Sequence, residues 1–142
     1  MEGYDLEAGV TLDAFGNLYG TAYQGGTNGC CGLVFKLSAS RQLTVLHNFT
    51  GSPDGSGPLA GVAFDAAGNL YGTTLVGGAM NLGAVYRIDP AGNETIIYSF
   101  AGAPAGREPY GGVIADSAGN LYGTTYEGGK QASGIVFKLS PQ

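Results

Sequence analysis

The feature that most constrains this chain is a five-residue word, NLYGT, that occurs three times in 142 residues. The copies begin at Asn17, Asn69 and Asn120, with spacings of 52 and 51 residues. A glycine pair and a second block, VFKL or VYRI, recur in step with them. A period near 50 residues built from short alternating segments is typical of a β-propeller or another repeat array.

The repeat predicts one domain spanning residues 1–142, in which neighbouring units share a continuous core. The units cover about residues 8–58, 59–109 and 110–142. Glycine supplies 27 residues, well above the usual share of about 7%, and 44% of the residues are hydrophobic. This composition indicates an ordered β protein and excludes a disordered chain.

Each repeat is predicted to contain four antiparallel strands, A to D. Strand A covers residues 9–13, 61–65 and 112–116 and ends in an Asp-x-x-Gly-Asn turn, whose glycine supplies a positive φ. Strand B is NLYGT, strand C is the VFKL or VYRI block, and strand D covers residues 43–49 and 94–100. The third repeat stops after strand C. We therefore predict an all-β fold of three tandem four-stranded antiparallel blades of a partial β-propeller, with the last blade incomplete.

Three blades cannot close a ring, because propellers have about four to eight. Two end blades would each expose an apolar face, which soluble monomers rarely carry. The sequence predicts either further repeats of a longer chain or self-association, most simply two chains in a six-bladed ring.

Charge and hydropathy exclude two classes of partner. The net charge is −5 and the six basic residues are dispersed, so we expect no binding to nucleic acid. No apolar run reaches the roughly 18 residues of a membrane span, and the acidic opening residues differ from a signal peptide. No cofactor is expected.

Two adjacent cysteines, Cys30 and Cys31, cannot join distant segments. We expect two reduced thiols in a loop; a vicinal disulfide, an intermolecular bridge or a metal site are the alternatives. A metal would need further Cys or His ligands, and His47 is the only histidine, so no metal site is predicted.

The connections between strands fall into two sets. The A–B and C–D turns are tight, whereas the B–C loops (24–31, 76–82, 127–133) and the D–A loops (50–58, 101–109) are long and variable. Rigid scaffolds commonly carry binding groups on such loops, so we predict that this face binds a glycan or protein; the alternative is that the loops are unconstrained linkers. The candidate binding residues are Gln24, Asn28, Asp54, Arg107, Glu108, Tyr110, Glu127 and Lys130.

One position of strand C is basic in every repeat and lies between apolar residues. An unpaired buried charge is costly, so we predict structural ion pairs with the aspartates that end strand A; a ring of cations that binds a ligand is the alternative. The residues are Lys36, Arg87 and Lys138, paired with Asp13, Asp65 and Asp116.

The inventory for catalysis is small. Glycoside hydrolysis uses two carboxylates about 5 to 9.5 Å apart, and Asp54, Glu108 and Glu127 are the only candidates on the variable loops. A Ser–His–Asp site would have to use His47, on the outer strand. We predict no catalytic residues and favour a noncatalytic binding or scaffolding role, with a polysaccharide hydrolase or lyase and a purely structural repeat as alternatives.

The unit G-x-x-x-D-x-x-G-N-L-Y-G-T, followed by the Gly-Gly pair and G-x-V-F-K-L, resembles the GloVer tandem repeat of bacterial choice-of-anchor proteins. The resemblance runs from Gly9 to the C-terminus. It implies an extracellular or surface-attached bacterial protein, and it supplies no catalytic residues.

Overall fold

The computed structural model describes residues 3–27 and 29–140. These residues form thirteen β-strands and no helix. Two short strands, β1 (Gly3–Tyr4) and β4 (Gln24–Gly25), pair with each other, and the other strands form three larger antiparallel sheets, one for each repeat. The predicted all-β fold is confirmed.

Neighbouring strands in each large sheet are consecutive strands of a repeat, which confirms the predicted order A, B, C, D. The first sheet contains β2 (Thr11–Leu12), β3 (Leu18–Ala22), β5 (Leu33–Leu37) and β6 (Leu43–Asn48). The second contains β7 (Ala63–Phe64), β8 (Leu70–Thr74), β9 (Ala84–Ile88) and β10 (Glu94–Ser99). The third contains β11 (Val113–Ala115), β12 (Leu121–Thr124) and β13 (Val136–Leu139), with no fourth strand through residue 140.

Strand A is shorter than predicted, and its leading glycine lies outside the ladder in every repeat. In the second and third repeats that glycine packs against the preceding repeat. A Cβ atom on Gly61 would lie 3.0 Å from the Gly9 carbonyl oxygen, and one on Gly112 would lie 3.0 Å from the Gly61 oxygen. Successive A strands therefore approach each other along one side of the stacked sheets.

The A–B turn is held by its aspartate. In the third repeat, one Asp116 carboxylate oxygen accepts the backbone N–H groups of Ala118 and Asn120, each at 2.9 Å. The other oxygen accepts the Asn120 amide at 2.7 Å and the Tyr122 hydroxyl at 2.9 Å. The Asn120 side chain first, then its backbone N–H, lower the pKa of Asp116 to about 2 against the opposing effect of desolvation. The other two repeats use the same four contacts.

The predicted ion pairs were wrong. None of the three strand C cations lies within salt-bridge distance of a strand A aspartate, although all six side chains belong to the part of the chain that the structure describes. The reason is that the strand B tyrosine stands directly opposite the cation in the ladder, as Tyr19 does opposite Lys36. The Lys36 ammonium lies 5.6 Å from the Tyr19 ring centroid, while the hydroxyl of that ring donates to Asp13. The residues that were predicted to pair and do not are Lys36, Arg87, Lys138, Asp13, Asp65 and Asp116.

The core lies between the sheets. One cluster joins Tyr19, Val34 and Phe49 of the first repeat to residues of the second, among them Tyr86. A second cluster packs Val85, Phe100, Val113 and Leu121 between the second and third sheets. The second sheet is therefore covered on both faces.

The first and third sheets each have one uncovered apolar face, as the sequence predicts. Val34 and Val85 are fully buried (0% exposed), whereas the equivalent Val136 of the third sheet is 79% exposed. The outer face of the first sheet carries an apolar groove of about 150 Å³. Its lining residues are Gly3, Leu6, Ala22, Leu33, Phe35, Leu43 and Val45.

Candidate functional site

The variable loops meet at one edge of the stacked sheets, where each B–C loop is joined to the segment that precedes strand A. The bridges are Ser56 with Val76, Arg107 with Glu127, and the β1–β4 pair of Tyr4 with Gln24. These pairs occupy equivalent repeat positions. The sequence analysis missed the pair of Tyr4 with Gln24 because Tyr4 lies ahead of the recognisable repeat unit.

Backbone hydrogen bonds also repeat at this edge. Tyr23, Leu75 and Tyr126 donate their N–H groups to the carbonyls of Asp5, Gly57 and Glu108, each at 3.0 Å. The ends of the two sets of loops are therefore joined to each other by backbone hydrogen bonds at this edge.

Glu108 has φ +55°, at the position that Gly57 fills with φ +68° in the preceding loop. A left-handed conformation costs an ordinary residue about 1 to 2 kcal/mol. Three backbone hydrogen bonds hold it in place: Glu108 donates to Leu82, and its carbonyl accepts from Tyr110 and Tyr126, each at 3.0 Å. The fold thus fixes the backbone that carries both tyrosines.

Two pairs of side chains are in contact here, Tyr110 with Tyr126 and Arg107 with Glu127, and we call the four together the tyrosine patch. The rings of Tyr110 and Tyr126 meet edge to face with centroids 5.2 Å apart, and they are 48% and 65% exposed. Arg107 donates from Nε to Glu127 Oε2 at 2.9 Å, and its Nη2 contacts the same oxygen. The same two loops therefore carry an exposed pair of amphipathic rings and a hydrogen-bonded ion pair.

The other predicted binding residues lie apart from one another. Gln24 donates to Asp5 at 2.9 Å in the first repeat. Asp54 belongs to the first D–A loop and accepts from Thr50. Lys130 is exposed on the third B–C loop. Asn28 lies outside the described residues.

The repeat identifies the family. The Gloeobacter/Verrucomicrobia repeat matches residues 2–142. This chain belongs to that family. The membership confirms the resemblance to GloVer repeats that the NLYGT and VFKL blocks indicated.

A solved structure supports the arrangement of the sheets. The chain is similar to an X-ray structure described as a "putative gluconolactonase", with 19% sequence identity and a TM-score of 0.53. The match covers 94% of this chain and 47% of that one, so the chain spans about half of that structure. The likeness shows a fold of the β-propeller type. No curated protein matches the chain, and no helix of the described residues is long and apolar enough to cross a membrane.

The first B–C loop of this family member contains a disulfide between Cys30 and Cys31. The expectation of two reduced thiols was wrong, and the structure has the vicinal disulfide that was one of the alternatives. Cys31 has φ +48° and is followed by Gly32 at φ +88°, a backbone path that keeps the two neighbouring side chains on the same turn. Adjacency in the sequence alone could not show this path.

Two of the three acids considered for hydrolysis are engaged. Glu127 accepts both hydrogen bonds from Arg107. Asp54, in a different loop, is bonded to His47 and Thr50. The Glu127 carboxylate first, and then the charge of Glu108, raise the pKa of Arg107, so these two acids share one neighbourhood.

Proposed function

We propose that this protein is a noncatalytic extracellular binding module of the β-propeller type, and that it binds a glycan through the variable loops of its third repeat. Family membership supports the extracellular placement. The observation that carries the binding proposal is the tyrosine patch.

The patch has the chemistry that carbohydrate recognition uses. An exposed tyrosine ring can stack against the C–H face of a sugar while its hydroxyl remains available to the sugar hydroxyls. Arg107 and Glu127, on the same two loops, offer N–H donors and carboxylate oxygens. The surface is open, which suits an extended polymer better than a small molecule enclosed in a cavity.

The patch does not follow from the repeat itself. The positions equivalent to Tyr110 are Glu7 and Leu59, and those equivalent to Tyr126 are Tyr23 and Leu75. Gly57 lies against the Tyr23 ring, so that tyrosine has a packing role in the first repeat. The pairing of two exposed tyrosines is confined to the third repeat, which supports a role beyond packing.

The test is a glycan array probed with the purified protein, followed by titration of the glycans that it retains. We expect Tyr110→Ala and Tyr126→Ala each to lower affinity about fivefold or more, because an aromatic stacking contact is typically worth about 1 kcal/mol beyond the area that it buries. The matched control is Tyr4→Ala, which removes a tyrosine of similar exposure (49%) from the first repeat. Retention of the same glycans by both patch variants would place the working surface elsewhere, and release of shortened products would favour the enzyme alternative.

We also propose that two copies of the chain associate, with the outer face of the third sheet of one copy packed on the outer face of the first sheet of the other. Phe35 in the outer groove is equivalent to Tyr86, which is buried where the second sheet meets the first. The exposed Val136 is equivalent to Val34 and Val85, each buried under the following sheet. The third sheet of one copy can therefore cover the first sheet of another copy in the way that neighbouring sheets cover each other within the chain. Two copies make six blades, within the usual range of about four to eight.

A further inference from the structure

A cluster of three metal-ligating side chains lies between the first and second sheets, away from the tyrosine patch. His47 comes from β6, Asp54 from the D–A loop that follows it, and Glu94 from β10; one ligand atom from each lies within 4.8 Å of the others. We propose that these side chains form a binding site for one first-row divalent cation of the Zn²⁺ type. The inference does not rest on glycan binding.

The register of the strands places the cluster. His47 is paired with Val34, and Glu94 is paired with Ile88, and both partners belong to the core between these sheets. Side chains of directly paired residues lie on the same face of a sheet, so His47 and Glu94 face the same interface from opposite sides. The histidine ring also packs edge to face on the buried Phe49, with centroids 4.8 Å apart.

Asp54 is held in position by its own loop. Its Oδ2 atom accepts the Thr50 N–H at 2.7 Å and the Thr50 hydroxyl at 3.0 Å, which leaves Oδ1 directed at His47 Nε2, 3.0 Å away. Partners of this kind orient the ligands of metal sites. The His47 and Asp54 side chains are 20% and 17% exposed, so an ion can reach them from solvent.

Among the residues that the structure describes, two buried oxygens at this sheet interface have no hydrogen-bond partner: Glu94 Oε1, within the cluster, and Tyr86 Oη, in the core between the same two sheets. Tyr86 is completely buried. Desolvation first, and then the charge of Glu94, raise the pKa of its hydroxyl. Unpartnered buried oxygens are rare and call for an explanation such as a bound ion. The Asp54 and Glu94 carboxylates each place an oxygen within 4.8 Å of the other. A cation between them would offset their mutual repulsion and satisfy Glu94 Oε1.

The donor set favours a particular class of ion. One imidazole nitrogen suits Zn²⁺ and its neighbours, and three protein ligands with an open fourth position are a common zinc arrangement. Ligands bonded at about 2.1 Å in a tetrahedron lie roughly 3.4 Å apart, so ligand atoms that now lie within 4.8 Å of one another must move closer together on binding. At the next interface Tyr98 and Ala105 replace His47 and Asp54, so we expect a single ion for each chain.

The test is titration of the protein with Zn²⁺ alone, without a histidine tag. His47 is the only histidine, so its imidazole NMR signals report this site without overlap. We expect saturation at one equivalent, a change in those signals, and a rise in melting temperature of about 8 to 13 °C at a Zn²⁺ concentration 100-fold above Kd. Glu94→Gln and Asp54→Asn should each weaken binding at least tenfold, whereas Glu7→Gln, an exposed change of equal charge, should not.

Melting curves in a chelator establish that each variant is folded before its affinity is compared. His47→Gln serves as a second removal of a ligand if one of the acidic variants does not fold. Three results would overturn the proposal: no saturable binding, binding that leaves the His47 signals unchanged, or affinity unaltered by Glu94→Gln and Asp54→Asn. Stabilisation of the metal-free protein by Glu94→Gln, without Zn²⁺ binding by the parent chain, would identify Glu94 instead as a protonated core acid.

Discussion

Gly72, at the centre of strand β8, is a position where one methyl group should be costly. A Cβ atom there would lie 2.5 Å from Cζ of Tyr86, which is completely buried between the first and second sheets. Because that ring has no space to move into, Gly72→Ala should overpack the core at a cost of about 1 to 3 kcal/mol. Alanine favours a strand over glycine by roughly 0.5 to 1 kcal/mol, so we expect a net loss in the free energy of unfolding that is centred on about 1 kcal/mol and is at most about 2.5 kcal/mol.

The first repeat supplies a matched control. A Cβ atom on Gly20 would lie 2.6 Å from Cζ of Phe35, nearly the same collision. Phe35, however, is only partly buried and lines the open groove on the outer face, so its ring can move away. In Gly20→Ala the ring can relieve the clash, and alanine has the better strand propensity. The free energy of unfolding should therefore change by no more than about 0.5 kcal/mol.

Urea denaturation of both variants measures the difference, at concentrations where light scattering shows a monomer, because self-association would bury Phe35 as well. Thermal melting should agree, with a shift of about 3 to 5 °C per kcal/mol for a chain of this length. Tyr86→Phe should recover part of the Gly72→Ala loss, since the hydroxyl is the closest atom to the new methyl group. Equal losses at Gly20 and Gly72 would refute the argument that confinement of the facing ring sets the cost.

Three further predictions concern charge and assembly. The folded-state pKa of Asp116 lies below its ordinary value of 3.8. Its contribution to stability should therefore be complete above about pH 4 and lost as the pH falls toward about 2. Asp116→Asn should flatten the plot of melting temperature against pH over that range. Lys36→Gln and Lys138→Gln should change the free energy of unfolding by less than about 1 kcal/mol, because each cation faces a tyrosine ring and no carboxylate, and a loss of several kcal/mol would restore the ion-pair reading. Light scattering should show dimers forming at micromolar concentration, and Val136→Arg should abolish them while leaving the monomer's melting temperature unchanged; a parent chain that stays monomeric at the highest soluble concentration would count against the second-copy proposal.

The strand order could be predicted because it depends on local signals. The Asp-x-x-Gly-Asn turn and the alternation around NLYGT act within a single repeat, and the sheets follow them. The ion pairs failed for a reason that the sequence could have revealed. With strands B and C antiparallel, Lys36 falls opposite Tyr19, and a long side chain contacts the residue directly across the ladder before it reaches a turn.

Contacts between repeats were beyond this reasoning. His47 and Glu94 occupy nonequivalent positions of different repeats, so no periodic signal links them, and only the packing of two sheets brings them together. Arg107 and Glu127 were each predicted as binding residues, but their pairing depends on the backbone bridge between two loops. The vicinal disulfide depends on a local backbone path that residue types do not specify.

The two-sided burial of the second sheet has a consequence for how the molecule opens. Opening the middle repeat breaks two interfaces, whereas opening an end repeat breaks only one. Amide hydrogens of β8 and β9 should therefore exchange most slowly with solvent, and those of the end repeats should exchange through separate, cheaper openings. The same count of interfaces applies to evolution. A duplicated unit added at an end forms one more interface of a kind that the chain already contains. The number of repeats can therefore change one unit at a time without substitutions in the middle repeat.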